Sequence, residues 1–199
     1  MIVLISAFLL LSAFSCGGGN KANSTSEQSE ETAVNVPQFD ADSAYLYVKN
    51  QVDFGPRVPN TKEHVACGNY LAGQLEAFGA QVTNQYADLI AYDGTLLKAR
   101  NIIGSYKPES KKRIALFAHW DTRPWADNDP DEKNHNTPIL GANDGASGVG
   151  ALLEIARLVN QQQPELGIDI ILLDAEDYGA PQFYTGQHKE EFWCLGSQY

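Results

Sequence analysis

The apolar positions change period several times along the chain, and each change marks an element. Tyr45, Val48 and Val52 recur at helical spacing, and the Gly55-Pro56 step in FGPRVP ends that helix. A second helix follows. Asn60 is placed to cap it, Glu63 holds the capping-box position, and Leu71, Leu75 and Phe78 form one stripe before Gly79 stops it. Two strand-like runs, 81–90 and 96–104, flank a turn at Asp93-Gly94. RIALFA (113–118) and IDIILL (168–173) are short apolar runs of the kind that suit strands covered on both faces in a parallel or mixed sheet. Between them Val149, Leu152, Leu153, Ala156 and Val159 share one helical face. Strand, helix, strand is a βαβ unit, and the fold class is α/β. No internal repeat is present.

The start of the chain follows a different pattern. MIVLISAFLLLSAFS (1–15) carries no charge and is too short for a stable membrane span, but it matches the apolar core of a signal peptide. No Lys or Arg precedes it. Cys16 follows Ser15, and GGGNKANSTSEQSEE follows Cys16. This resembles a bacterial lipoprotein signal, with lipid on Cys16 and residues 16–37 as a polar tether. An ordinary signal peptide with an incidental cysteine is the alternative. Ordered structure is expected from about residue 38 to 199.

Composition narrows the function classes. The 199 residues suit one domain, with 43% hydrophobic and 20% charged residues, which is globular composition. A formal net charge of -11 gives no electrostatic footprint for phosphate backbones, so no nucleic-acid partner is expected. With Cys16 assigned to lipid, Cys67 and Cys194 either pair in an oxidising compartment or remain free thiols.

In open α/β sheets ligands bind beyond the carboxyl ends of the strands. HWDTRPWADNDPD (119–131) directly follows RIALFA, and DAEDYG (174–179) directly follows IDIILL. GANDGASG (141–148) opens the intervening helix. Taken singly, Asp144 is a helix cap, His119 a hydrogen-bonded structural histidine, Asp121 a turn cap, and Glu176 and Asp177 solvated charges. Together they would crowd negative charge into one cleft, which a cation relieves. Zinc takes oxygen and nitrogen ligands, and of the adjacent Glu176 and Asp177 one can bind metal while the other moves protons.

AHWDTRPWADNDPD, PILGANDGASGVGALLEIARLV and ILLDAEDYG, in that order, resemble the bacterial glutaminyl-peptide cyclotransferases, relatives of the zinc aminopeptidases. FGPRVPNTKEH (54–64) is similar to the family's N-terminal region, and the resemblance runs over about residues 40–199. It implies a three-layer, phosphorylase/hydrolase-like sandwich with a mixed, mostly parallel central sheet. It also implies one zinc, with Asp144 and Asp177 as ligands and Glu176 as general acid/base. His119 then stands beside the site and ligates only if a second zinc binds, and Asp121 orients His119 or the local loop. Many relatives have Glu where Asp177 stands. The family's last ligand is a histidine far toward the C-terminus. His64, His119, His135 and His188 are the histidines here, and none matches it, so a C-terminally truncated chain is expected.

The implied reaction converts an N-terminal Gln of a peptide or protein to pyroglutamate with release of ammonia, in a lipid-anchored protein of the periplasm or outer membrane. A two-zinc aminopeptidase of the same fold is one alternative, and a catalytically dead, lipid-anchored binding protein is another. The aromatic loop YGAPQFYTGQHKEEFW (178–193) offers Phe183, Tyr184 and Trp193 as a cover for the substrate, or as ordinary surface packing.

Overall fold

Asp40 starts the first helix: its carboxylate accepts the N–H groups of Asp42 and Ser43, satisfying donors that a helix start leaves unpaired. The computed structural model describes residues 35–199. The signal segment 1–15, Cys16 and all but the last three residues of the expected tether lie outside the described residues. Residues 35–40 have no regular secondary structure, and α1 runs Ala41–Asp53. It packs against helix α3, Ala146–Gln161, where Gly150 lets the backbones approach: an added Cβ would meet Val48 Cγ2 at 2.6 Å. The packed face therefore contains Val48 and Gln51, while Tyr45, expected in the apolar stripe, is 73% exposed.

Helix α2, Lys62–Ala77, begins one residue later than the sequence predicts. Thr61 is the cap, accepting the His64 N–H, which leaves Glu63 outside the capping-box position. Asn60 instead sits at φ 75 and uses its side chain on the next strand, accepting from Lys98 N at 2.8 Å and donating to Leu96 O at 2.9 Å. Cys67, Leu71 and Leu75 are fully buried on the inner face of α2.

Four strands make one sheet: β1 (Gln81–Ile90), β2 (Leu96–Tyr106), β3 (Arg113–His119) and β4 (Gly167–Leu173), in the order β1-β2-β4-β3. The sheet is mixed. Among the described strands only β3 and β4 run parallel, because the β1–β2 hairpin brings β2 antiparallel onto β4. The parallel share is thus smaller there than the expected majority.

Val149, Leu152, Leu153, Ala156 and Val159 of α3 join α2 and the inward residues Ile102, Ile168, Ile170 and Leu172 in the main core. Burying each large side chain contributes roughly 1.5–3 kcal/mol. Helices α2 and α3 both contribute to this core, so among the described residues they cover the same sheet face. RIALFA, expected to be covered on both sides, leaves Ile114 and Phe117 47% and 59% exposed, because β3 stands at the edge of the described sheet and Phe117, alternating with the core-packed Leu116 and Ala118, lies on the face opposite these helices. The chain finishes with a single turn of helix, α4 (Leu195–Gln198). Cys67 lies in the core and Cys194 beside Glu176, and both are free thiols.

Candidate metal centre and active site

The two parallel strands end in step, and the polar segments begin there. His119 is paired with Leu173, and the Trp120 N–H then bonds the Leu173 carbonyl at 3.0 Å. Asp121, fully buried, accepts the backbone N–H of Glu176 and of Asp177, each at 3.1 Å, so its two oxygens hold the loop after β4 against the loop after β3. That loop turns at Ala175, whose φ of 51 lies in the left-handed region.

Asp144 is free of capping duty. Gly145 is the cap of α3, without a side-chain bond, and the Asp144 carboxylate reaches His119 Nε2 at 2.9 Å. A Cβ on Gly145 would strike the His119 carbonyl oxygen and come 2.7 Å from the imidazole Cε1. Only glycine lets the start of α3 lie so close to the histidine.

The other imidazole nitrogen, Nδ1, lies 3.5 Å from Asp121 and 3.8 Å from Glu176 Oε2, without hydrogen-bond geometry. Ligand atoms of His119, Glu176 and Asp177 all lie within 4.8 Å of one another. Asp144 adjoins this group through His119. The structure therefore draws all five predicted polar residues to one place. This trio contains His119, whereas the family resemblance implies Asp144 as the partner of Asp177.

The electrostatics match a site short of positive charge. Burial, then the charges of Asp121 and Asp144, push the Asp177 carboxyl up to about 7. Burial alone would push His119 down, but Asp121, Glu176 and Asp177 outweigh it and hold the imidazole at about 9. Burial and the adjacent Glu176 push the Cys194 thiol up to about 11, so it stays protonated and donates to Glu176 Oε1 at 3.3 Å. His119 Nδ1 and Asp177 Oδ2 are buried without a hydrogen-bond partner among the described residues. Each such atom costs about 1–3 kcal/mol unless something binds it. Orphaned carboxylate oxygen and imidazole nitrogen in one cluster fit zinc, which prefers this donor set.

His119 and Glu176 line a small cavity of about 170 Å³ with Cys194, while a larger one of about 490 Å³ opens at the Asp144 and Asp177 side of the cluster, lined also by Arg123, His188 and Trp193. Of the three aromatics predicted for the pocket, Trp193 lines it. Phe183 stacks on His135 and Tyr184 meets Tyr92 edge-on, and neither lines it.

Sequence reasoning missed Arg123 and Arg57. Arg123 forks onto Asp127 at 2.7 and 2.5 Å, bonds the Asp177 carbonyl at 3.1 Å, and lies 4.7 Å from the Trp193 ring centre.

Residues 101–199 match the model for peptidase family M28. Among solved structures, a Bacteroides thetaiotaomicron glutaminyl cyclase bound to N-acetylhistamine is 94% identical, with TM-score 0.82, covering 83% of this chain and 56% of that one. A structure described as a leucine aminopeptidase precursor from Bacteroides thetaiotaomicron is also 94% identical, with TM-score 0.83, covering 83% and 57%. A Tannerella forsythia glutaminyl cyclase is 58% identical, with TM-score 0.80, covering 81% and 55%. The chain spans little more than half the length of these solved proteins and 23–32% of three curated relatives that it matches.

Proposed function

We propose that this chain, which matches peptidase family M28 over residues 101–199 and groups with the bacterial glutaminyl cyclases and zinc-dependent exopeptidases, serves a zinc-assisted glutaminyl-peptide cyclotransferase. The supporting observation is the gathering of His119, Glu176 and Asp177 at two strand ends, with Asp144, at the start of α3, bonded to His119 and lining one cavity with Asp177. Preference for cyclisation over peptide hydrolysis rests on HWDTRPWADNDPD and on the solved cyclases.

Asp177 and Asp144 would hold a single zinc ion, completed by a ligand outside this chain's described residues. When bound, zinc supplies Lewis acidity toward an amide oxygen. In the reaction the α-amine of an N-terminal Gln attacks its own side-chain amide carbon. A C–N bond forms to that nitrogen, the bond to the amide nitrogen breaks, and ammonia leaves. Glu176 takes the proton from the amine and delivers it to the departing nitrogen, a role its one-third exposed side chain can fill beside Asp177. Trp193 and Arg123 shape the wall and exclude water from the reacting carbon. Substrates in this reading are peptide and protein N-termini beginning with Gln. The export signal and the lipid on Cys16 belong to the same proposal and rest on sequence alone.

The two-zinc aminopeptidase is favoured by one observation: His119 belongs, with Glu176 and Asp177, to a trio whose ligand atoms lie within 4.8 Å of one another, as a second metal ion requires. Incubating the intact protein with a Gln-initiated peptide and with aminoacyl chromogenic substrates separates the readings. Ammonia release with pyroglutamate formation and no free amino acid is the expected result. Free amino acids without ammonia would assign the aminopeptidase, and zinc binding without either product a non-catalytic protein.

A further inference from the structure

Arg57 lies in the connection between α1 and α2, far from the acidic motifs in sequence, yet it is fully buried. Its guanidinium donates from Nε to the Trp120 carbonyl at 3.3 Å, from Nη1 to the Leu140 carbonyl at 2.5 Å, and from Nη2 to the Gly141 carbonyl at 2.9 Å. Its own carbonyl accepts the Thr122 N–H at 3.2 Å. Among the described residues no carboxylate lies within ion-pair distance of it. A buried cation held only by backbone carbonyls is costly, and a hydrophobic residue would fill the space more cheaply.

The three carbonyls belong to the two segments that carry His119 and Asp144. Trp120 is the residue after His119, and Gly141 stands three before Asp144. The Gly141 carbonyl also accepts the Ala146 N–H at 3.2 Å, closing the turn on which Asp144 sits. At φ 58, Gly141 has no room for a side chain: a Cβ would collide with the Asp144 carbonyl oxygen and Thr122 Cγ2, and come 3.0 Å from Arg57 Nη2. The guanidinium therefore occupies the junction of the two segments, and its planar fork suits several acceptors at fixed angles in a way an ammonium does not.

We propose that Arg57 is a positioning residue for the metal centre, setting the separation of His119 and Asp144 by tying together the two backbone segments that carry them. This rests on the zinc reading above. The test measures zinc affinity of the intact protein by competition with a chromogenic chelator, below the melting transition, with folding checked by near-UV circular dichroism. Arg57→Lys keeps the charge but loses the fork, and Arg57→Met loses both. Leu75→Ala, a cavity variant in the main core, controls for general loss of stability.

Both Arg57 variants are expected to bind zinc about 10–100-fold more weakly. Their cobalt-substituted forms are expected to show altered visible bands, while Leu75→Ala melts earlier but binds zinc like the wild type. If Arg57→Met does not fold, Arg57→Lys decides. Wild-type zinc affinity in either folded Arg57 variant, or an equal loss in Leu75→Ala, would overturn the inference. Absence of zinc binding by the wild type would instead remove the metal reading beneath it.

Discussion

His64 aims its Nε2 at both oxygens of Asp174, at 2.9 and 2.8 Å, joining helix α2 to the end of strand β4. Both side chains are buried, and the imidazole stacks on Trp120 with 4.3 Å between ring centres. Asp174 also accepts the N–H groups of Arg100 and Ala175, so the loop carrying Glu176 and Asp177 leaves the sheet from a fixed carboxylate. Asp174→Asn turns an acceptor into a donor facing other donors. Breaking a buried pair in this way costs about 3–5 kcal/mol. The melting temperature should fall by on the order of 10 °C, followed by circular dichroism. An unchanged melting temperature would show that the pair adds nothing to stability.

Glu176 is the proposed proton carrier, so Glu176→Gln separates chemistry from metal binding. Turnover of a Gln-initiated peptide should fall by about 10²–10⁴-fold, while zinc content by atomic absorption stays the same. Near wild-type turnover would assign the proton transfer elsewhere.

Asp121 both holds the Glu176–Asp177 loop and raises the His119 pKa. In the zinc-free protein the folded-state pKa of His119 stands at about 9, above its ordinary value of 6.5. The stabilisation this reflects is fully present below 6.5 and is lost as pH rises through about 9. Asp121→Asn should move the imidazole titration, read by NMR, back toward 6.5. Zinc affinity should fall about 10–100-fold as the loop loses one of its two anchors. An unmoved titration would mean that Asp121 does not govern the imidazole.

Asp169 accepts a two-pronged ion pair from Arg113 on the neighbouring strand, with Ser105 donating as well. The Arg113 bonds, helped by Ser105, hold its pKa below the ordinary 3.8 against the opposing effect of burial. A lowered folded-state pKa gives stability that is complete above 3.8 and lost as pH falls through the lower folded value. Urea melts should therefore separate wild type from Asp169→Asn at neutral pH and bring them together in strong acid. A gap independent of pH would show that shape, not charge, sets the effect.

The elements were legible where a turn or an apolar stripe marks them. β1 and β2 flank the Asp93-Gly94 turn, and the α3 stripe is buried from Val149 to Val159. The cap of α2 was misplaced because Asn60 and Thr61 are both cap-type residues. What separates them is the Asn60 bonds to β2, which no local pattern encodes. The acidic residues of the site were legible because strand ends are where α/β sheets place ligands. Arg57 and His64 were not. Arg57 bonds to carbonyls, which every residue has, and the partner of His64 lies 110 residues away.

The rungs that join β3 to β4 set His119 opposite Leu173, three residues before Glu176. Sliding one strand by a single rung would carry Glu176 about 3.3 Å along the sheet from the imidazole, and it would turn Ile170 and Leu172 out of the core. The spacing of the reactive groups is thus guarded by oil-like contacts on the far side of the same strands. Variants that loosen this pairing should lose turnover while the chain still folds, and their defect would trace to side chains that never meet a substrate.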